Sequence, residues 1–264
     1  MLIKIILLWR FFLKNAGHVF LAKLGKTTLR PGGIDATAWL IEQANINKDT
    51  KILEVACNMG KTMIQLCERF SCNITGVDID KDALLQAERN IERHKLKDKL
   101  KLVHGDAMAL PFENNSFDIV INEAMLTMLK TSDKDMAIRE YFRVLRRGGL
   151  LLTHDVVFRV ESKDTQQNLR ENLSKAINVN VEPLDKDEWK NIFERNGFSV
   201  SQKIGKMTLM NPFGMIHDEG FFRTLKIIRN ARKKENRETF KKMFSFFNKN
   251  KNNLGYICTV AKKI

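Results

Sequence analysis

Only four cysteines occur in the 264 residues (Cys57, Cys67, Cys72 and Cys258), with no CxxC pair and no histidine at zinc-finger spacing. That pattern excludes a disulfide framework and a structural zinc site, and it suits the reducing cytosol. No uninterrupted apolar run reaches the roughly 20 residues that a spanning helix needs. The apolar opening MLIKIILLWRFFLKN is broken by Lys4, Arg10 and Lys14, and no small-residue cleavage site follows it clearly. A spanning helix and a signal peptide are both disfavoured, leaving a helix at a membrane interface or one that caps the protein.

Acidic residues are absent from residues 1–33, which carry six Lys and Arg, and scarce in 220–264, where thirteen Lys and Arg face only Glu235 and Glu238. The middle, 34–219, holds 26 basic and 29 acidic residues, so the net charge of +14 belongs to the flanks. Such flanks attract anionic membrane or an acidic ligand more readily than they identify a nucleic-acid binder, and a solvated lysine-rich tail is the plain alternative. The hydrophobic content of 44% is ample for a buried core.

What is present is an alternation of strand and helix patterns. Lys51–Ala56, Asn73–Asp80, KLKLVHGDA, FDIVINEAM and GGLLLTHDVV read as strands; IDATAWLIEQA, residues 60–70, KDALLQAERNIERH and SDKDMAIREYFRVL read as helices. Asp80 is placed to cap the helix that follows it. This order argues an α/β fold with a doubly wound parallel sheet. Further on, 160–183 is expected to be helical, Asp185 to start a helix that Gly197 stops, and FSVSQKI to form a strand. Residues 205–253 read as an insertion with one long basic helix before a last strand near 255–261. Three units follow: an apolar and basic cap or membrane-facing segment at 1–33, a core of 34–204 plus 254–264, and the basic insertion 205–253.

The segment ILEVACNMGKT joins a strand, an acid and a small-residue loop at a helix start, where free N–H groups can meet a carboxylate. With GVDID, HGDAMALPFENNSFDIV and LRRGGLLL in that order, it resembles the class I S-adenosylmethionine-dependent methyltransferases over about 170 residues plus the last strand. Family members commonly have glycine where this chain has Ala56 and Asn58. The resemblance implies a mostly parallel seven-stranded Rossmann-like sheet with helical N- and C-terminal caps, and S-adenosyl-L-methionine as cofactor. It assigns Glu54, Ala56, Cys57, Asn58 and Gly60 to the cofactor loop, and Asp78, with Ile79 beside it, to the ribose hydroxyls. Asp106 matches the adenine-contacting position, with Ala107 or Met108 lining the ring and Asn122 at the end of strand four. No metal is implied.

Methyl transfer from a sulfonium needs alignment, water exclusion and sometimes a base. Glu123 and His154, at strand ends where doubly wound sheets place ligands, are the catalytic candidates. Strand four ends in INEAM, which departs from the Asn/Asp-Pro-Pro-aromatic tetrapeptide of methyltransferases acting on exocyclic amines. That counts against base methylation. The expected acceptor is a small, partly apolar molecule, and an anionic membrane surface is a candidate partner. Localisation is expected to be cytoplasmic, with peripheral membrane attachment as an extension. RNA methylation and a non-catalytic cofactor-binding module stay open as alternatives.

Overall fold

The computed structural model describes residues 16–264. The expected interfacial or capping helix in the first fifteen residues, including Trp9 and Phe11, lies outside the described residues. Seven strands form one sheet in the order β3-β2-β1-β4-β5-β7-β6. They are β1 (Lys51–Val55), β2 (Asn73–Asp78), β3 (Leu100–His104), β4 (Phe117–Glu123), β5 (Leu145–Phe158), β6 (Phe198–Lys206) and β7 (Leu254–Lys263). The first five are parallel, while β7 runs antiparallel to both β5 and β6. The chain therefore reverses at β1, between β2 and β4, and the carboxyl ends there open into one crevice.

Central strands such as Ile52–Val55 and Ile119–Asn122 are buried on both faces, and their near-continuous apolar run follows from that. One face packs on α5 (Thr131–Val144) and α7 (Lys186–Glu194), with Tyr141, Trp189 and Phe193 at the centre. The other packs on α2 (Gly33–Glu42), α3 (Lys61–Phe70) and α4 (Lys81–Arg93) through Leu40, Met63 and Ile91. Local capping starts several of these helices as expected. Asp80 accepts from the Asp82 and Ala83 N–H groups, and Asp185 and Glu188 form a reciprocal capping box.

A third apolar cluster lies beyond the strand ends. It joins α1 (Gly17–Leu24), α6 (Lys163–Ile177), α9 (Phe221–Ala231) and α10 (Lys234–Lys249) through Leu24, Leu173, Ile227 and Met243, and meets the sheet at Phe158 and Leu254. The long basic helix expected in the insertion is two, α9 and α10, broken at Arg232–Lys233, and a further helix, α8 (Pro212–Glu219), precedes them across Gly220. Asn211 caps α8 by accepting from the Phe213 and Gly214 N–H groups, a turn signal that a search for helical periodicity passes over. The strand β6 runs to Lys206. The residues LRRGG belong to the sheet. The helix stops at Val144 and these residues open β5, where Arg146 pairs with Asp118.

Candidate active site

The loop after β1 carries Ala56, Asn58 and Gly60 at φ of 58°, 49° and 72°, all left-handed. Alanine and asparagine thus adopt the backbone that glycine favours, at a cost of roughly 1–2 kcal/mol for the alanine. The loop keeps the glycine-type path despite its side chains. Asn58 donates its N–H to Asp78 Oδ2 at 2.8 Å, and Asp80 donates to Oδ1 at 2.9 Å. The loop and the tip of β2 are thereby one unit. Burial pushes the Asp78 carboxyl above its usual range, against those N–H groups. Ile79 projects outward, 66% exposed. Cys57 is buried, and Gly76 makes room for it, since a Cβ there would lie 2.8 Å from its Sγ. At the neighbouring strand end, Asp106 holds the following turn by accepting from the Met108 N–H at 2.9 Å, and Ala107 and Met108 pack on the core behind it.

Glu54 and Glu123 stand on one face of the sheet, because Glu54 pairs in register with Ile121, two residues before Glu123. Arg30 reaches between them. Its guanidinium lies 2.7 Å from Glu123 Oε2 and donates to the Thr62 hydroxyl at 2.8 Å. Burial favours the neutral form of Glu123, but the Arg30 charge and hydrogen bonds from His154 and Thr37 outweigh it and hold the carboxyl at about 2. At Glu54 the Arg30 charge and hydrogen bonds from Thr62 and the Met63 N–H are outweighed. Burial first, then the charge of Glu123, push its carboxyl up to about 8, and its Oε2 is buried without a donor. One guanidinium serves two acids, and the second is left short of a cation.

His154 is fully buried. The Gly32 N–H donates to its Nε2 at 2.9 Å, so the ring proton sits on Nδ1, directed at Glu123 Oε1 3.2 Å away. Neither ring nitrogen has a lone pair left for a substrate proton. The general-base role expected for His154 does not fit this arrangement, and Glu123 is likewise engaged with Arg30, Thr37 and His154. Asn122 lies on the opposite face, where its amide donates to the Val55 carbonyl at 3.0 Å and its Oδ1 is left without a partner.

Several residues of this site were not legible as functional in the sequence. Arg30 belongs to the turn RPGG, in which a Cβ on Gly32 would lie 2.6 Å from the Tyr256 ring and one on Gly33 2.3 Å from Asp218. The paired glycines let this turn press against His154. Lys61, the first residue of α3, donates to the hydroxyls of Thr27 and Thr28 at 2.9 and 3.0 Å. Glu219 accepts from the Thr27 and Thr28 N–H groups and lies 3.6 Å from the buried Lys26 ammonium. Burial lowers the pKa of Lys26 despite that acid. His18 in α1 is half-buried; burial lowers its pKa against the charges of Asp78 and Asp80, and its Nδ1 has no partner. The RPGG spacing was the one visible signal; the partners lie up to 192 residues away.

An S-adenosylmethionine molecule carries an ammonium, a carboxylate, a ribose diol and an adenine. The donor-free Oε2 of Glu54 suits the ammonium, and Asp78, with both oxygens oriented by backbone, suits the diol. Among the described residues no cluster of His, Cys, Asp and Glu could hold a metal ion, and no helix is long and apolar enough to cross a membrane.

Residues 52–149 match the family profile described as a methyltransferase domain. A Haemophilus influenzae protein described as uncharacterized is 56% identical over 250 residues, covering 94% of this chain and 98% of the relative. A demethylmenaquinone methyltransferase of Staphylococcus aureus is 35% identical over 115 residues, covering 43% of this chain and 46% of that enzyme. Among solved structures, the MccD protein superposes with a TM-score of 0.72 at 21% identity, covering 90% of this chain and 100% of that one.

Proposed function

Since the chain belongs to the class I S-adenosyl-L-methionine-dependent methyltransferases, we propose that it methylates a small, partly apolar acceptor held between the strand ends and the helical cap. The observation that carries this reading is the acid pair Glu54 and Glu123 beside the Asp78-oriented loop, under a cap whose turn is tied to the same acids. The cofactor supplies an electrophilic methyl on a sulfonium. The residues of the chain bind, orient and exclude water.

In this reading Glu54 receives the cofactor ammonium, Asp78 the ribose hydroxyls and Asp106 the adenine amino group. Ala56, Cys57, Asn58 and Gly60 shape the floor, with Ile79 and Ala107 beside the ring and Asn122 bracing the floor from below. Arg30 and Lys61 are the cations nearest the helix start at which a carboxylate would sit. Glu123 and His154 act as positioning groups that clamp Arg30 and the Gly32 turn, and rate comes from alignment and desolvation. The acceptor is therefore a nucleophile that needs no strong base. Support for an apolar acceptor comes from the cap's aromatic content and from the demethylmenaquinone enzyme's similarity over part of its length. The middle of the chain, 34–219, which carries slightly more acids than bases, counts against nucleic acid.

A second reading, a cofactor-binding module without turnover, is favoured by the absence of a free lone pair on His154. A labelled-methyl transfer assay against a metabolite extract of the source cell separates the two. The first reading expects labelled small-molecule product that disappears in Asp78→Ala; cofactor binding with no labelled product supports the second. In calorimetry Asp78→Ala is expected to weaken cofactor binding on the order of 100-fold, two hydrogen bonds to a charged group being lost. Unchanged affinity would remove Asp78 from the site.

A further inference from the structure

Helices α8 and α9 carry apolar side chains on two faces. The inner face, Met215, Ile227 and Ala231, is buried in the cap. The outer side leaves Phe213 84% and Phe222 85% exposed, with Phe221, Leu225 and Ile216 around them. One buried face accounts for one apolar stripe, and a second, exposed set of apolar side chains, with the Phe221 and Phe222 rings 5.7 Å apart, calls for another cover. The acids of this region point inward: Asp218 accepts from the Ile34 N–H at 3.0 Å, and Glu219 is held by Thr27, Thr28 and Lys26. From 220 to 234 the chain holds Arg223, Lys226, Arg229, Arg232, Lys233 and Lys234 and no acid. Along α9 the exposed positions 222, 225, 226 and 229 share one side, apolar at its start and cationic toward its end.

We propose that this outer face of α8 and α9 docks on an anionic lipid bilayer, with Phe213 and Phe222 seated at the headgroup boundary and the α9 cations against the headgroups. Charge selects the occupant. Arg223 is drawn to Glu219 at 3.8 Å, and the shared side carries Lys226 and Arg229 with no acid, so a second copy of the chain seated on it would offer those cations no ion pair. An anionic bilayer meets both halves of the pattern, since exposed aromatic rings enter the interface and lysine and arginine meet the lipid phosphates. Helix α8 holds the chain on either side of the RPGG turn, Asp218 through Ile34 and Glu219 through Thr27 and Thr28, so a partly apolar acceptor leaving the bilayer would meet the site beside the docking face. The docking surface stands independently of methyl transfer, and its test reads no turnover.

The test is co-sedimentation of the full chain with vesicles of phosphatidylcholine alone or mixed with phosphatidylglycerol. Binding is expected only to the mixed vesicles and to weaken as salt rises. The double variant Phe213→Ser with Phe222→Ser is expected to reduce partitioning by about tenfold or more, from lost apolar burial. A second variant, Lys226→Glu with Arg229→Glu, is expected to do the same while keeping the aromatic rings. Both should retain wild-type thermal melting and cofactor affinity. Equal binding to both vesicle types overturns the proposal. So does unchanged partitioning of both variants, which would assign attachment to residues 1–15, and so does a concentration-dependent dimer that the serine variant abolishes.

Discussion

Glu54 carries the sharpest residue-scale prediction. Its carboxyl is raised to about 8 in the fold. An acid so raised binds its proton more tightly folded than unfolded, so its stabilising effect is complete below about pH 4.5 and is lost as pH climbs toward 8. Glu123, held at about 2, does the reverse, and its contribution is lost as pH falls below 4.5. Glu54→Gln is therefore expected to stabilise the cofactor-free protein above pH 8, by up to about 5 kcal/mol of unfolding free energy in denaturant titration, with little change at pH 4.5. A ligand ammonium favours the ionised form. Calorimetry at pH 7 in buffers of different ionisation enthalpy should thus show close to one proton released per cofactor bound, and affinity should rise with pH to a plateau above 8. Binding without proton release would disconnect Glu54 from the cofactor. The neighbouring loop offers a simpler test. Ala56→Gly relieves a left-handed alanine at φ 58° and is expected to add about 0.5–1 kcal/mol in denaturant unfolding, after the extra chain entropy of glycine is set against it. Asn58→Gly should change less, because asparagine tolerates that conformation better.

At the scale of elements, strands, helices and their acidic tips were readable because the signals are local: an apolar run, a small-residue loop and an acid within a few residues. Asp80 and Asp185 begin their helices as their cap chemistry implies. The role of Arg30 was not readable, because its meaning lies in Glu123 and Thr62, which other elements bring to it. The occupied state of His154 escaped for the same reason, since its donor is the backbone of a glycine 122 residues away. The insertion misled differently. A basic, apolar-rich composition runs on from α9 into α10, so nothing marks the break at Arg232–Lys233, whereas α8 is set off by Asn211-Pro212 and Gly220. Long-range contacts also set how tolerant these elements are. Gly32→Ala would drive a methyl into the Tyr256 ring and Ala36, and is expected to cost about 1–3 kcal/mol by overpacking. Glu219→Gln would strand the fully buried Lys26 ammonium, and a loss of about 3–5 kcal/mol is expected. A melting curve that matches wild type for either would show that the α1–α2 turn is not clamped as described.

Across the whole molecule, two of the three apolar clusters belong to the sheet and the third to the cap. The cap reaches the sheet through Phe158 and Leu254 and through a few polar links: Asp218 to Ile34, Glu219 to Thr27 and Thr28, and Thr208 to the Pro31 carbonyl. Breaking those links exposes far less apolar surface than opening either sheet cluster, so the cap has a lower-energy opening of its own. Native-state hydrogen exchange is expected to find the amides of α1 and α8 exchanging faster than those of β1, β4 and β5 in the cofactor-free protein. The polar links end on residues 27–34, and the RPGG turn within them is held by Glu123 and His154 through Arg30 and Gly32. A cofactor ammonium at Glu54 would therefore tighten the acid cluster to which the turn is anchored. Added cofactor should slow exchange in residues 17–42 and in α8 while leaving the strand amides near their original rates. Uniform slowing of sheet and cap together would mean that the two open as one unit, and the cap would then have no separate motion by which to admit an acceptor.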